Sequence, residues 1–405
     1  MLLPKQCVAE AGRHPHLVGH FVRHQIHRLL TITSMELKDL TTDSSRLSER
    51  IVIAQLAAGV LDYAAAMSAG KTFRLPYPPN LQLALDRLTM VAWQQNAEPP
   101  SNVVELLQLA ARPFESWPIR LSDADVDPGE TLLAYGRPSV TCEELGGLGG
   151  DVAAEMRQNA LMLAVMDKTR AAGAPDSYVA FRRLLIERPA ITALGLDARL
   201  ADPELAVVAD ELRLAYPEAP PEARADGIVR TCGGCNGLRL PLDDDRTWVC
   251  EDYSCPAPGT PGPDHSAAEG VHWLRRELRT FVTGPGRAEL RIAEAIEAMG
   301  VPVQLWPDFD SCDLAVFADR PWVADIKAWR NPTRLGRALR ERMFRVPPEA
   351  EKAYIVIGSE QVRMHPRYVA VLRRACPALK PGKRVTAVAE KQFLDAVRRE
   401  VEARR

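Results

Sequence analysis

The sequence predicts a multidomain protein in which an α-helical N-terminal region, a four-cysteine module and a C-terminal α/β domain with a central mixed sheet follow one another. Three observations carry that reading. Apolar residues recur at helical spacing from about 45 to 225, four cysteines fall within 24 residues, and helices alternate with short apolar strands after 263. The 405 residues are 46% apolar and 26% charged, enough for two or three separate cores. No unbroken run of 18 apolar residues occurs, so no membrane-spanning helix is expected. The start, Met1-Leu2-Leu3-Pro4-Lys5, leads into His and Arg rather than an apolar segment, so a cytoplasmic location is expected.

Residues 1–34 hold His14, His16, His20, His24 and His27, five of the eight histidines, and are expected to form a disordered tail. A helical domain is expected over 35–145 and a second helical region over 146–225. Ile51, Ala54, Ala58, Leu61 and Ala65 mark the inward stripe of the first helix, and Gly146-Gly147-Leu148-Gly149-Gly150 marks a hinge between the two lobes. No catalytic constellation stands out in these lobes.

The cysteine module spans 226–262 and is framed by Pro217–Pro221 and by a Pro/Gly-rich stretch, 256–263, expected to act as a spacer. Cys232-Gly233-Gly234-Cys235 has the form of a metal knuckle, with glycines for unusual backbone angles. Cys250 and Cys255 supply the second pair, so a zinc ribbon with structural Zn²⁺ is expected. Four residues separate Cys250 from Cys255 where two are commoner, which leaves His265 as a rival for one ligand.

The domain over 263–405 begins with a helix, 284–300, whose inward face is set by Ile292, Ala293 and Ile296, with Glu289 on the same side. Strands follow at 301–306, 313–318 and 322–329, then a helix around 334–344, a strand at 353–358, a helix over 367–376, a strand at 384–389 and a final helix. The strands at 313–318 and 322–329 form a hairpin in which Asp325 and Lys327 share one face. A three-residue loop at 319–321 would pair Asp313 with Lys327 and gather Asp313, Asp325 and Lys327 on one side. Two carboxylates and the backbone carbonyl of Ile326 are hard oxygen ligands suited to Mg²⁺ or Mn²⁺. Lys327 can orient a water or stabilise phosphorane charge, and Glu289 can complete the ligand shell. Asp308, in the Pro307-Asp308 pair, is a rival for Asp313.

Charge adds a substrate class. The net charge is only −2, but residues 1–262 carry 25 Lys+Arg against 34 Asp+Glu, a net of −9, and residues 263–405 carry 26 against 19, a net of +7. Such asymmetry suggests that the basic half meets a polyanion. Arg330, Arg334 and Arg337, directly after Lys327, are the expected phosphate contacts.

Glu289, Asp313 and Asp325-Ile326-Lys327, in the order helix, strand, hairpin, resemble the PD-(D/E)xK nuclease superfamily over residues 270–405. That resemblance implies a restriction-endonuclease-like fold in which Asp313 and Asp325 bind metal and Lys327 is catalytic. It departs from the pattern in having Cys312, not proline, before Asp313. The whole arrangement is similar to the nuclease component of prokaryotic PIWI-RE defence islands. It implies a metal-dependent DNA endonuclease acting against plasmid or phage DNA, with a PIWI-like protein and a helicase as partners. A non-catalytic zinc-containing nucleic-acid-binding or scaffold subunit is the alternative.

Overall fold

The computed structural model describes residues 49–68, 77–121, 124–148, 152–242, 247–252, 255–317 and 319–404. The N-terminal histidines and the Gly149-Gly150 part of the expected hinge lie outside the described residues.

The first lobe is built from α1 (Glu49–Ser68), α2 (Pro79–Gln94), α3 (Val103–Ala110), a hairpin of β1 (Leu133–Ala134) and β2 (Arg137–Pro138), and α4 (Val140–Leu148). Asn102 caps α3 by accepting the Glu105 N–H at 2.9 Å, which satisfies one of the donors that a helix start leaves open. Helix α1 is the centre of this lobe. Val52, Ile53, Leu56, Ala57 and Val60 are buried beneath α2 and α4, so apolar residues are enclosed on most sides of the helix. The expected stripe is therefore corrected: Ala54 and Ala58 are buried, but Ile51 and Ala65 face outward. Among the described residues, Glu49–Met67 is the one helix long and apolar enough to cross a membrane by length and composition, contrary to the expectation of none. Gln55, Gly59 and Asp62 interrupt its apolar residues and hid it from a search for unbroken apolar runs, and those apolar residues pack within this core.

The second lobe comprises α5 (Val152–Ala171), α6 (Pro175–Glu187), β3 (Ala190–Thr192), α7 (Ala193–Leu200) and α8 (Ala209–Ala215). Its core is not its own. Tyr178, Phe181, Leu185 and Leu212 share one buried cluster with Leu274, Leu278, Val282, Leu290 and Trp306 from beyond residue 263.

The cysteine module is a four-stranded antiparallel sheet in the order β6–β5–β4–β7, from β4 (Ile228–Cys232), β5 (Leu238–Pro241), β6 (Trp248–Cys250) and β7 (Pro261–Ser266). The end of the expected spacer is thus strand β7, paired with β4. Next, β8 (Val271–Trp273) pairs back with β3.

The C-terminal domain follows the order α9 (Gly284–Glu297), β9 (Val303–Leu305), β10 (Leu314–Val316), β11 (Trp322–Lys327), α10 (Pro332–Glu341), β12 (Lys352–Ile357), α11 (Ser359–Met364), α12 (Tyr368–Ala375), β13 (Val385–Ala389) and α13 (Glu390–Arg404). The five strands form one mixed sheet in the order β13–β12–β11–β10–β9, antiparallel from β9 to β11 and parallel from β11 to β13. Side-chain alternation divides the core: Leu314, Trp322, Ala324 and Ile326 face α9 and α13, whereas Val323, Ile355 and Ile357 face α10 and α12. Helix α11 and the short helical turns at Pro307–Asp310 and Pro377–Leu379 are not among the elements expected from the sequence.

Lobe and domain are joined by arginine–carboxylate pairs. Arg334 is fully buried, donating to Glu130 at 2.9 and 3.0 Å, to Glu144 at 2.5 and 2.8 Å, and to the Asp125 carbonyl at 2.9 Å. Arg337 pairs with Asp125 at 2.6 Å, and Arg330 donates its backbone N–H to Glu144 at 2.5 Å with its side chain 3.5 Å from Glu130. Arg276 reaches Glu143 at 2.9 Å. The expected role of Arg334 as a phosphate contact is therefore corrected, since buried acids of the first lobe occupy it, while Arg330 and Arg337 pair with acids of that lobe and stay partly exposed. The opposite net charges of the two halves are met in part by each other.

Candidate functional site

At the cysteine module, the Sγ atoms of Cys232, Cys235, Cys250 and Cys255 all lie within 4.8 Å of one another, a set able to hold a metal ion. Cys232 is 3.6 Å from Cys255 and Cys235 is 3.5 Å from Cys250. The knuckle turns at Asn236, whose φ is 58° and whose N–H donates to the Cys232 carbonyl at 2.8 Å. The glycines act through space, not through backbone angle as expected: a Cβ on Gly234 would stand 2.7 Å from Cys255 Sγ. Burial raises the Cys232 thiol, but the Gly234 and Cys235 amides outweigh it and favour the thiolate, the form that binds metal. His265 lies on β7, 3.5 Å from Glu269, and is not in the cluster.

The acidic cluster is assembled at the start of β10, the end of β11 and the second turn of α9. Leu314 pairs with Ala324 and Val316 with Trp322, so continuing the register sets Asp313 beside Asp325, not Lys327 as expected. The connection is longer than the expected three-residue loop and moves the register by two residues, which preserves the face. Asp313 is locked there: its N–H donates to the Ala324 carbonyl at 3.1 Å, and its Oδ2 accepts the Ile326 N–H at 2.5 Å. Lys327 Nζ donates to Asp325 Oδ1 at 2.8 Å, while Asp325 Oδ2 is buried without a hydrogen-bond partner. Glu289 is 1% exposed and accepts from Trp306 Nε1 at 2.5 Å.

A second cation enters from the helical region. Arg182 on α6 donates through Nη2 to Glu289 at 3.0 and 3.2 Å, stands 3.5 Å from Asp313 Oδ1, pairs through Nη1 with Asp310, and lies 4.7 Å over the Trp306 ring. Tyr178, one turn earlier, donates to Asp310 at 3.2 Å. Asp310 is delivered by a strained turn in which Trp306, Asp308, Phe309 and Asp310 all have φ between 47° and 76°. For residues other than glycine each such angle costs about 1 kcal/mol, so the surrounding contacts must hold it. Asp308 faces solvent, and Asp310, two residues on, joins the cluster in its place.

Four carboxylates thus face two cations. If all were ionised the cluster would carry two net negative charges, the charge of one divalent ion. Burial first, then the charges of Glu289 and Asp325, push the Asp313 carboxyl well above its ordinary range; Lys327 and Arg182 pull the other way. Burial likewise raises Glu289 against the pull of Arg182. The open oxygen of Asp325 and the oxygen-only donor set fit a hard divalent cation. Tyr178, Arg182 and Asp310 were missed in the sequence. The available signal was that Arg182 lies on the Tyr178–Leu185 stripe, four residues after one and three before the other, where a cation requires a buried partner.

Residues 286–405 match the family described as REase associating with pPIWI_RE, and residues 52–192 match pPIWI_RE three-gene island domain Y. No curated protein and no solved structure gives a significant match.

Proposed function

We propose, from the premise that the two matches place this chain in the pPIWI_RE defence island with a restriction-endonuclease-associated domain, that it is a Mg²⁺- or Mn²⁺-dependent DNA endonuclease. The observation that carries the reading is the buried, unpartnered Oδ2 of Asp325 beside Asp313 and Lys327. Asp313, Asp325 and the Ile326 carbonyl would hold the ion, which when bound polarises a phosphate and lowers the pKa of a water. Lys327 contributes a charged N–H donor where phosphorane charge develops. Asp325 holds that ammonium in place, and Glu289 fixes Trp306 behind the site. Phosphate contacts along the duplex fall to Arg340, Arg342, Arg345, Arg363 and Arg367, which are exposed on and after α10 and α11. A cytoplasmic setting and work beside a PIWI-like protein and a helicase belong to the same proposal.

Plasmid nicking tests it. The full chain, alone and with its island partners, should convert supercoiled DNA in Mg²⁺ or Mn²⁺ and not in EDTA. No cleavage in any of these combinations would favour a non-catalytic nucleic-acid-binding or scaffold subunit.

We further propose that the four thiolates hold one structural Zn²⁺, supported by their mutual distances and by the absence of room for a side chain at Gly234. Cys255→Ser should lower bound zinc below one equivalent per chain and melt the module at lower temperature, as read by elemental analysis and circular dichroism. One full equivalent in the variant would move the fourth ligand elsewhere.

A further inference from the structure

The carboxylate oxygens of the acidic cluster are already divided among donors. Lys327 holds Asp325 Oδ1, and the Ile326 N–H holds Asp313 Oδ2. Arg182 holds both oxygens of Glu289 and pairs with Asp310, and its Nη2 faces Asp313 Oδ1. A divalent ion settling on the open Asp325 Oδ2 must recruit Asp313 Oδ1 as its neighbouring ligand, and that atom is the one turned toward the guanidinium. Hard divalent ions gather about six oxygens and repel a cation at that range. The guanidinium is also confined, with its side chain 8% exposed, sandwiched against Trp306 and joined to three acids. Its place among these acids is set by α6, the helix that carries it.

From this we infer that Arg182 is a built-in counter-cation of the metal site, exchanged for the divalent ion when helix α6 shifts, so that the seating of the helical region sets metal affinity. The inference rests on the nuclease reading of the cluster. Its logic is electrostatic exchange: Arg182 neutralises the buried acids and keeps the fold intact without metal, and the ion takes over that neutralisation when it enters. Tyr178 takes part from the same helix by holding Asp310, the acid of the cluster borne on a strained turn. Helix α6 lies inside the segment matched to island domain Y, so a force applied to that region acts on the metal site through Arg182, with Tyr178 beside it.

The test is Mn²⁺ binding to the full chain, followed by electron paramagnetic resonance of the free ion at pH 8, after loading one equivalent of zinc to occupy the thiolates. Arg182→Met keeps much of the side-chain bulk and removes the charge; it should bind Mn²⁺ at least tenfold more tightly than wild type. Adding Asp325→Asn to that variant should abolish the gain. Equal or weaker binding by a folded Arg182→Met protein would overturn the exchange and leave Arg182 as a clamp or a phosphate contact. Tight binding that survives Asp325→Asn would instead overturn the nuclease reading, because the ion would sit elsewhere. Should Arg182→Met fail to fold, Arg182→Lys keeps a charge but cannot fork over three carboxylates. It should gain at least threefold, and no gain would overturn the inference.

Discussion

Asp325→Asn is expected to reduce Mg²⁺-dependent plasmid cleavage by about a thousandfold or more, the loss of several kcal/mol of transition-state stabilisation at about 1.4 kcal/mol per tenfold. The substitution keeps the shape of the side chain and leaves an oxygen for Lys327, which now stands 2.8 Å away. What it removes is the charge on Asp325 Oδ2, the carboxylate oxygen of the cluster that is buried without a hydrogen-bond partner. Because the cluster holds four acids against two cations, losing one negative charge relieves repulsion. The variant is therefore expected to melt no lower than wild type, and a little higher in the absence of divalent ions. Lys327→Met separates from it in sign: cleavage should also be lost, but stability should fall, since Asp325 and Asp313 lose a neighbouring cation. Circular dichroism melting beside the nicking assay reads both. Equal cleavage by wild type and both variants would assign the activity to a contaminant.

Arg334→Met is expected to cost about 3–5 kcal/mol of stability, the usual consequence of removing one partner from a buried ionic network. The guanidinium is fully buried and satisfies Glu130, Glu144 and the Asp125 carbonyl at once, so its loss strands two carboxylates between the first lobe and α10. The two acids respond differently to their burial. Burial would raise Glu130, but the Arg334 hydrogen bond and charge outweigh it and hold the carboxyl below its ordinary range; at Glu144 burial wins and the carboxyl is raised. A depressed carboxylate contributes stability that is complete above its unfolded pKa and is lost as pH falls through the folded one. The Glu130 share of the Arg334→Met deficit should thus be greatest near neutral pH and shrink once pH falls below about 4.5. Urea unfolding at pH 7 and pH 4 checks this, and adding Glu130→Gln and Glu144→Gln should restore much of the loss. A deficit under about 1 kcal/mol at pH 7, the range of an exposed pair, would show that the network is solvated.

Much of the C-terminal domain was legible in the sequence because its elements are short, strongly patterned and joined in sequence order. Apolar alternation located β10, β11, β12 and β13, and helical spacing located α9, α10, α12 and α13 within a few residues. Asp325 and Lys327 share a face by period alone, and Asp313 joins them for any register of the same parity, so the site survived the wrong loop length. The cysteine spacing was likewise sufficient to group four thiols. Arg334 was misassigned because charge counts say nothing about what faces a charge. Arg334 carries the same formal charge as Arg340, yet one is buried against two acids and the other is exposed.

The sequence by itself determined the order of the elements, the grouping of the four thiols and the core of the acidic cluster, all set by local spacing along the chain. Only the tertiary structure decided that Arg182 stands among those acids and that Arg334 ties α10 to the first lobe. Those partners lie 107 residues apart for Arg182 and Glu289 and 204 for Arg334 and Glu130. Local periodicity fixes which face of an element turns inward. It carries no term for which distant element arrives there, and that choice is made by burial of shared apolar surface and by the need to pair every charge taken out of water.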